Sequence, residues 1–160
     1  MSRLSELSAE LVRLATERDR TVTTAESLTA GLIAATIADT SGASRVLMGG
    51  IVSYDPSVKH KLLGVSQAII DGVGVVSEPC ARQMAIGARE SVGTFAAVSA
   101  TGVAGPTGGT HETPVGTVFL GVSTASGTRV ERCQFSGDRQ SVREQTVARA
   151  LELLIQAIDE

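Results

Sequence analysis

Aromatic residues are almost missing from this chain of 160 residues, which has no Trp, one Tyr and three Phe. Proteins that bind single-stranded nucleic acid stack the bases on aromatic side chains, and so few rings provide no such platform. Positive charge is also scarce, because the formal net charge is −3 and Lys and Arg form no cluster larger than short pairs. A DNA-binding surface needs a basic face. We therefore expect no nucleic-acid partner.

Long apolar runs are absent as well. No stretch reaches the ~20 apolar residues that a membrane-spanning helix needs. Residues 2–20 are charged and amphipathic and lack the apolar core of a signal peptide. We therefore expect a cytoplasmic protein with no membrane partner.

Groups of metal-binding or disulfide-forming residues are missing too. Cys80 and Cys133 are isolated, which indicates neither a disulfide framework nor a zinc knuckle, and we interpret Cys80 as a small packing residue. His60 and His111 are also single, and His111-Glu112 lacks the second histidine of a zinc-protease helix. We expect no metal site and no cofactor.

Hydrophobic residues, by contrast, make up 42% of the chain, enough for a folded core. Their spacing predicts helices over 3–18, 28–38, 56–63, 66–71, from 77 onward and over 139–158, and strands over 21–26, 46–54, 95–100, 115–124 and 129–135. Strands separated by helices pair in parallel, whereas the Gly-containing turn at 125–128 predicts an antiparallel hairpin. The prediction is one α/β domain over residues 1–160, a three-layer α/β/α sandwich with a mixed, mostly parallel sheet of about five strands.

Three polar segments follow predicted strands: Ser27, then Tyr54 with Lys59, then the glycine-rich loop 101–109. Parallel strands end at one edge of a sheet, and ligands bind outside that edge. Topology alone therefore predicts that these segments converge on one site.

Ser27 has two interpretations. Its hydroxyl can cap the following helix, which the local pattern favours, or it can be a nucleophile beside helix-start amides that stabilise an oxyanion. Lys59 and Tyr54 are either a solvated lysine and a surface tyrosine, or a base for Ser27 with a tyrosine that orients it or relays its proton. A lysine, with an ordinary pKa of ~10.4, acts as a base only if desolvation or a nearby cation lowers that pKa.

The loop 101–109 and Arg139 are candidates for binding an anion. Exposed amides in a glycine-rich loop can cradle a phosphate or an oxyanion, although the glycines also suit a tight connection that needs positive φ. No Gly-Lys-Ser/Thr follows, so the loop is not a Walker loop. Arg139 either grips an anionic substrate or forms a surface ion pair.

Several motifs follow one another along almost the whole chain: Thr24-Ala25-Glu26-Ser27 with Thr29-x-Gly31, Gly50-x-Val52-x-Tyr54, Lys59-x-x-Leu62-Leu63-Gly64-Val65, Val76-Ser77-Glu78, Thr101-Gly102-Val103-Ala104-Gly105-Pro106-x-Gly108-Gly109, Pro114-Val115-Gly116-Thr117-Val118 and Gly137-Asp138-Arg139. In this order and spacing they resemble the CinA C-terminal domain family. The resemblance implies a CinA-like fold with a five-stranded mixed sheet. Many family members carry an additional N-terminal domain similar to molybdopterin-binding proteins, which we expect this chain to lack.

The resemblance also implies an activity, that of a nicotinamide-nucleotide amidase in pyridine nucleotide salvage. Such an enzyme hydrolyses nicotinamide mononucleotide to nicotinate mononucleotide and ammonia. The implied mechanism uses Ser27 as nucleophile and Lys59 as general base, assisted by Tyr54. The implied substrate-binding residues are Thr29, Ala30 and Gly31 near the oxyanion, and Thr101, Gly102, Gly105, Gly108, Gly109 and Arg139 around the ribose or phosphate.

Two other functions stay open at this point. One is a non-catalytic nucleotide-binding or competence- and DNA-damage-associated protein of the same family, and the other is an amidase for a different small amide. On family grounds we also expect a homo-oligomer, for which the apolar stripes of helices 3–18 and 139–158 leave room.

Overall fold

A five-stranded mixed sheet forms the middle layer of the structure, a computed structural model described over residues 2–160. The strands are β1 (Val22–Glu26), β2 (Leu47–Val52), β3 (Ala96–Gly102), β4 (Thr117–Thr124) and β5 (Gly127–Gln134), and their order is β2-β1-β3-β4-β5. Strand β1 pairs in parallel with β2 and β3, whereas β4 is antiparallel to both β3 and β5. The predicted α/β class and mixed sheet are therefore confirmed.

Helices cover both faces of this sheet. They are α1 (Arg3–Arg18), α2 (Leu32–Ala38), α3 (Pro56–Leu63), α4 (Gln67–Asp71), α5 (Glu78–Val92) and α6 (Arg139–Asp159), with a short 3₁₀ turn at Ala43–Arg45. Helices α1, α2 and α6 pack on one face, and α5 packs on the other with α3 and α4 against it. In residues 2–160, none of these helices is both long and apolar enough to span a bilayer.

Helix α3 begins and ends where its sequence predicts. The carboxylate of Asp55 accepts a hydrogen bond from the Ser57 amide at 2.9 Å, and Pro56 occupies the first turn. The helix ends at Gly64, whose φ of 73° is in the left-handed region that glycine adopts without strain. These caps hold Lys59 in the middle of a short, well-defined helix.

Helix α2 begins four residues later than the predicted start at residue 28. Residues 28–31 instead form turns, with Ala30 at a φ of 49° and Gly31 at 96°. Positive φ is incompatible with a right-handed helix, so the chain leaves β1 through a compact loop. The predicted strand boundaries differ from the observed ones by at most two residues, and β5 begins at Gly127 directly after a two-residue turn.

The leucine stripes of α1 and α6 are buried inside the chain. Leu7 and Leu11 of α1 and Val147 and Leu151 of α6 belong to one core, and the two helices pack against each other. The expectation that these stripes leave room for a second subunit is wrong, because the chain itself covers them. The expected homo-oligomer stays a prediction, without support from these faces.

Candidate functional site

Ser27 and Lys59 meet at the carboxyl edge of the parallel strands. Ser27 directly follows β1, and its amide donates to the carbonyl of Ala100 in β3 at 2.9 Å, which fixes it at the end of the sheet. Lys59 reaches the same point from α3, and its Nζ lies 2.8 Å from the Ser27 Oγ. The predicted convergence of these two residues is thus present in the structure.

Lys59 is buried, with 1% of its surface exposed. Besides Ser27, its Nζ contacts two backbone carbonyls, those of Ser53 at 2.6 Å and Tyr54 at 3.2 Å. Burial lowers the pKa of Lys59 from its ordinary value, and the Asp55 carboxylate offsets this only in part. The interpretation of Lys59 as a solvated surface lysine is therefore wrong.

Tyr54 reaches Lys59 through its backbone rather than its ring. Its side chain is 56% exposed, and its hydroxyl accepts a hydrogen bond from Arg139 Nη2 at 3.0 Å. The phenol forms no hydrogen bond with Lys59 in the described residues, so the expected direct orientation or relay by this group is not formed. The Tyr54 carbonyl, which no side-chain pattern predicts, makes the contact instead.

A cavity of about 270 Å³ opens beside the serine and the lysine. Of the predicted site residues, it brings together Ser27, Tyr54, Lys59, Thr101, Gly102, Gly105, Gly108 and Arg139. The predicted residues Thr29, Ala30, Gly31 and Gly109 do not line it. The sequence did not identify three other lining residues, Leu28, Val75 and Val76. The available signal was the Val76-Ser77-Glu78 motif, which contains Val76 and directly follows Val75.

The glycine-rich loop is held in place by its own contacts. The hydroxyl of Thr101 donates to the Val75 carbonyl at 2.8 Å, so this group supports the wall rather than offering its hydrogen to a ligand. Gly105 has a φ of 82°, and a Cβ added there would collide with the Val115 side chain. This position requires glycine for both reasons.

Arg139 closes the cavity from the start of α6. Its Nη1 donates to the Gly105 carbonyl at 2.8 Å and its Nη2 to the Tyr54 hydroxyl. Within residues 2–160 it forms no ion pair, so the alternative of a surface salt bridge is not observed. A guanidinium has five N–H donors, which leaves Arg139 donors for an anionic ligand.

Glu26, rather than Ser27, caps helix α2. The Glu26 carboxylate is buried and accepts hydrogen bonds from the amides of Ile33 at 2.8 Å and Ala34 at 3.0 Å, and from the Thr24 hydroxyl at 3.0 Å. The favoured interpretation of Ser27 as the cap is therefore wrong, and its hydroxyl is left for Lys59. Glu26 occupies the amides at the observed start of α2, so an oxyanion beside Ser27 would have to bind amides of the preceding loop.

The loop between Ser27 and α2 has further contacts that the sequence did not predict. The Ala30 amide donates to the Ser27 carbonyl at 3.0 Å, so it is not free for the oxyanion as expected. Arg143 of α6 donates to the carbonyls of Leu28 at 2.9 Å and Thr29 at 3.1 Å. Thr29 is fully buried, and its Oγ1 has no hydrogen-bond partner in residues 2–160.

A larger cavity of about 680 Å³ borders the first one. The two share Val75, Val76, Val103 and Gly108 in their walls. The far side of the larger cavity includes Phe119, and the Arg132 guanidinium lies 5.3 Å from the centre of that ring. The Ser27–Lys59 pair is therefore beside a groove that extends well beyond it.

Comparison with known proteins agrees with this fold. The family model of the CinA C-terminal domain matches residues 4–158. A CinA-like protein of Mycobacterium marinum is 47% identical over 143 residues, which are 89% of this chain and 34% of that protein. The chain thus spans about a third of the length of the curated relatives it matches.

Solved structures show the same similarity. The competence/damage inducible protein CihA from Agrobacterium tumefaciens has a TM-score of 0.96 at 36% identity, covering 100% of this chain and 98% of that chain. A CinA superfamily protein from Klebsiella pneumoniae has a TM-score of 0.93 at 29% identity and covers 98% of each chain. The chain therefore belongs to the CinA C-terminal domain family.

Proposed function

We propose that this chain is an amidohydrolase that converts nicotinamide mononucleotide and water to nicotinate mononucleotide and ammonia, a step of pyridine nucleotide salvage. The observation that carries the proposal is the 2.8 Å contact between Ser27 Oγ and the buried Lys59 Nζ. A hydroxyl paired with a desolvated amine is an activated nucleophile suited to acyl transfer. The choice of substrate follows the family resemblance of the sequence.

The carbonyls around Lys59 support its role as the base. A protonated lysine has three N–H groups and a neutral one has two. In the structure Lys59 Nζ donates to three acceptors, the Ser27 Oγ and the carbonyls of Ser53 and Tyr54. When the amine is neutral, its two hydrogens suffice for the carbonyls, and the lone pair is left for the Ser27 hydroxyl. Desolvation favours this neutral form. Two backbone oxygens thereby orient the lone pair toward the proton that it removes.

The proposed reaction has two halves. The Ser27 Oγ attacks the carboxamide carbon while Lys59 takes its proton, and Lys59 then gives that proton to the amide nitrogen as the C–N bond breaks. Ammonia leaves and an ester to Ser27 remains. Water attacks the ester with Lys59 again as base, which releases the nicotinate product and restores the serine.

Arg139 and the glycine-rich loop are the proposed contacts for the rest of the substrate. Arg139 lines the cavity and keeps free donors, and a guanidinium forms charge-assisted hydrogen bonds with phosphate. Gly102, Gly105 and Gly108 line the same cavity. We propose that this side of the cavity holds the ribose or phosphate while the carboxamide lies at Ser27.

Ammonia release tests the proposal. The chain has only two lysines, Lys59 and the exposed Lys61 of the same helix, which provides a matched control. We expect Ser27→Ala to fall to near the uncatalysed rate, Lys59→Ala to lose at least about 10²-fold in kcat, and Lys61→Ala to remain active. Equal rates for wild type, Ser27→Ala and Lys59→Ala contradict the mechanism.

The same assay separates the two other functions. Tight binding of the mononucleotide without turnover favours a non-catalytic nucleotide-binding protein. Turnover of another compound in a panel of carboxamides, but not of the mononucleotide, favours an amidase with a different substrate. The first outcome replaces the proposed activity and the second replaces the proposed substrate. Both leave the fold and family unchanged.

A further inference from the structure

We infer that Arg143 is the positioning residue of an oxyanion-binding site next to Ser27, whose donor in the cavity is the backbone amide of Leu28. The inference deepens the proposed function and rests on one part of it, that Ser27 is the nucleophile. It does not depend on which amide is the substrate.

Arg143 fixes two consecutive peptide groups at once. Its Nε donates to the Leu28 carbonyl at 2.9 Å and its Nη2 to the Thr29 carbonyl at 3.1 Å. A guanidinium is planar, so its donors hold two acceptors in a set geometry. These contacts come from the second turn of α6, which places a rigid helix behind the loop.

The orientation of the carbonyls sets the orientation of the amides. The peptide bonds of this loop are trans, since the cis bond in residues 2–160 is Gly105–Pro106, and in a trans peptide the N–H points opposite to the C=O. The Thr29 amide therefore points away from Arg143. The Ala30 amide is set in the same way by the Thr29 carbonyl, and it reaches the Ser27 carbonyl at 3.0 Å. The Ala30 amide thereby holds the Ser27 carbonyl, and in that trans peptide the Leu28 amide points away from the carbonyl.

The amides of Leu28 and Thr29 have no acceptor in residues 2–160, although these residues are 4% and 0% exposed. Most of their neighbours are paired: Ser27 with Ala100, Ala30 with Ser27, Leu32 with Thr29, and Ile33 and Ala34 with Glu26. Backbone amides of buried residues are rarely left unpaired. The buried Thr29 hydroxyl is also without a partner in residues 2–160.

Unpaired donors directly after a nucleophile suit a negatively charged oxygen. When the Ser27 Oγ attacks a carbonyl carbon, charge develops on the carbonyl oxygen, and preorganised N–H groups stabilise it. Leu28 lines the cavity with Ser27, whereas Arg143 lines a different surface, behind the loop. Arg143 therefore acts through the loop and does not touch the substrate.

The alternative is that Arg143 only fastens α6 to the loop. Arg149 provides the matched control, because it lies on the same helix and fastens it to β5 through two hydrogen bonds to Glu131, at 2.6 and 2.7 Å. The variants to compare are Arg143→Gln, Arg143→Lys and Arg149→Gln. Denaturant unfolding of each variant measures the structural part of the effect separately.

Two rates report on the oxyanion site. One is the steady-state release of ammonia, and the other is the phosphonylation of Ser27 by a fluorophosphonate probe, whose phosphoryl oxygen occupies the oxyanion position. Removal of an oxyanion donor lowers kcat by about 10²- to 10³-fold. We expect Arg143→Gln to lower kcat and the phosphonylation rate by about 10²-fold with little change in KM, because the Leu28 amide acts mainly in the transition state. Arg143→Lys should recover part of both rates, and Arg149→Gln should leave both unchanged.

The outcomes distinguish this inference from the proposed substrate. If Arg143→Gln is destabilised but keeps both rates, or loses activity only through KM, the inference is wrong. If the wild type does not hydrolyse the mononucleotide but its Ser27 is phosphonylated in an Arg143-dependent way, the substrate is wrong and the inference holds. If Ser27 of the wild type reacts in neither assay, both are wrong.

Discussion

At the scale of single residues, the buried amine of Lys59 makes activity depend on pH. Burial lowers its pKa below the ordinary 10.5, and only the neutral amine has a lone pair for the Ser27 proton. We therefore expect kcat/KM to rise with pH through the lowered pKa and to level off above it. A series of kcat/KM measurements from about pH 5 to about pH 10 tests this. A rise centred at the ordinary pKa or above contradicts it.

The side chain of Tyr54 is expected to contribute little to the chemical step. Tyr54→Phe removes the hydroxyl that Arg139 contacts but keeps the carbonyl that contacts Lys59. Losing one hydrogen bond of about 1 kcal/mol changes a kinetic constant by less than about tenfold. We expect this change in KM rather than in kcat. Steady-state kinetics of Tyr54→Phe tests this. A fall in kcat as large as that of Lys59→Ala contradicts it and supports the phenol as a proton relay.

The Cys80 thiol is expected to be unreactive in the folded protein. The residue is fully buried, and burial raises its pKa to about 11, so the reactive thiolate is scarce at neutral pH. Alkylation by iodoacetamide, followed by mass spectrometry, should modify Cys80 quickly in denaturant and slowly without it. Equal rates in the two conditions contradict the buried position.

At the scale of elements, Glu26 determines where helix α2 begins. Glu26→Ala leaves the amides of Ile33 and Ala34 without their acceptor, and each unsatisfied buried group costs about 1–3 kcal/mol. We expect the free energy of unfolding to fall by at least about 2 kcal/mol, and by less in Glu26→Gln, which keeps an acceptor oxygen. Urea unfolding measures both values. A Glu26→Ala variant as stable as wild type shows that α2 does not depend on this cap.

At the scale of the whole molecule, the packing of α1 on α6 limits how subunits can associate. Both apolar stripes are buried within one chain, so the homo-oligomer that we propose on family grounds must use other surfaces. Sedimentation equilibrium gives the mass of the assembly in solution. A mass equal to that of one chain at micromolar concentration contradicts the proposal.

The sequence was informative where a local pattern has one physical cause. The leucine spacing of residues 3–18 and the Asp55-Pro56 start of α3 correspond to helices with the expected ends. The pairing of Ser27 with Lys59 was predictable from topology, since both segments follow adjacent parallel strands. In these cases the residue types and their order are enough to determine where a helix lies or which strand ends meet.

Other contacts had no such signal. A serine before an apolar helical pattern favours a cap over a nucleophile, and only the folded chain brings the Glu26 carboxylate to the amides of Ile33 and Ala34. The Tyr54 carbonyl is a backbone atom, which no side-chain pattern identifies. Arg143 is one of several arginines on α6, and its contact with Leu28 crosses 115 positions of sequence.

The two cavities have a consequence for how this fold can diversify. Ser27 and Lys59 both come from the first sixty residues, whereas the shared wall of Val75, Val76, Val103 and Gly108 and the closing Arg139 come later in the chain. The Ser27–Lys59 pair and most of the cavity wall thus come from separate stretches of the chain, although Leu28 and Tyr54 also line the cavity. A relative can acquire a new preference through replacements in its later segments while inheriting an unaltered reactive pair, and chimeras joined near residue 70 would exchange specificity as a unit.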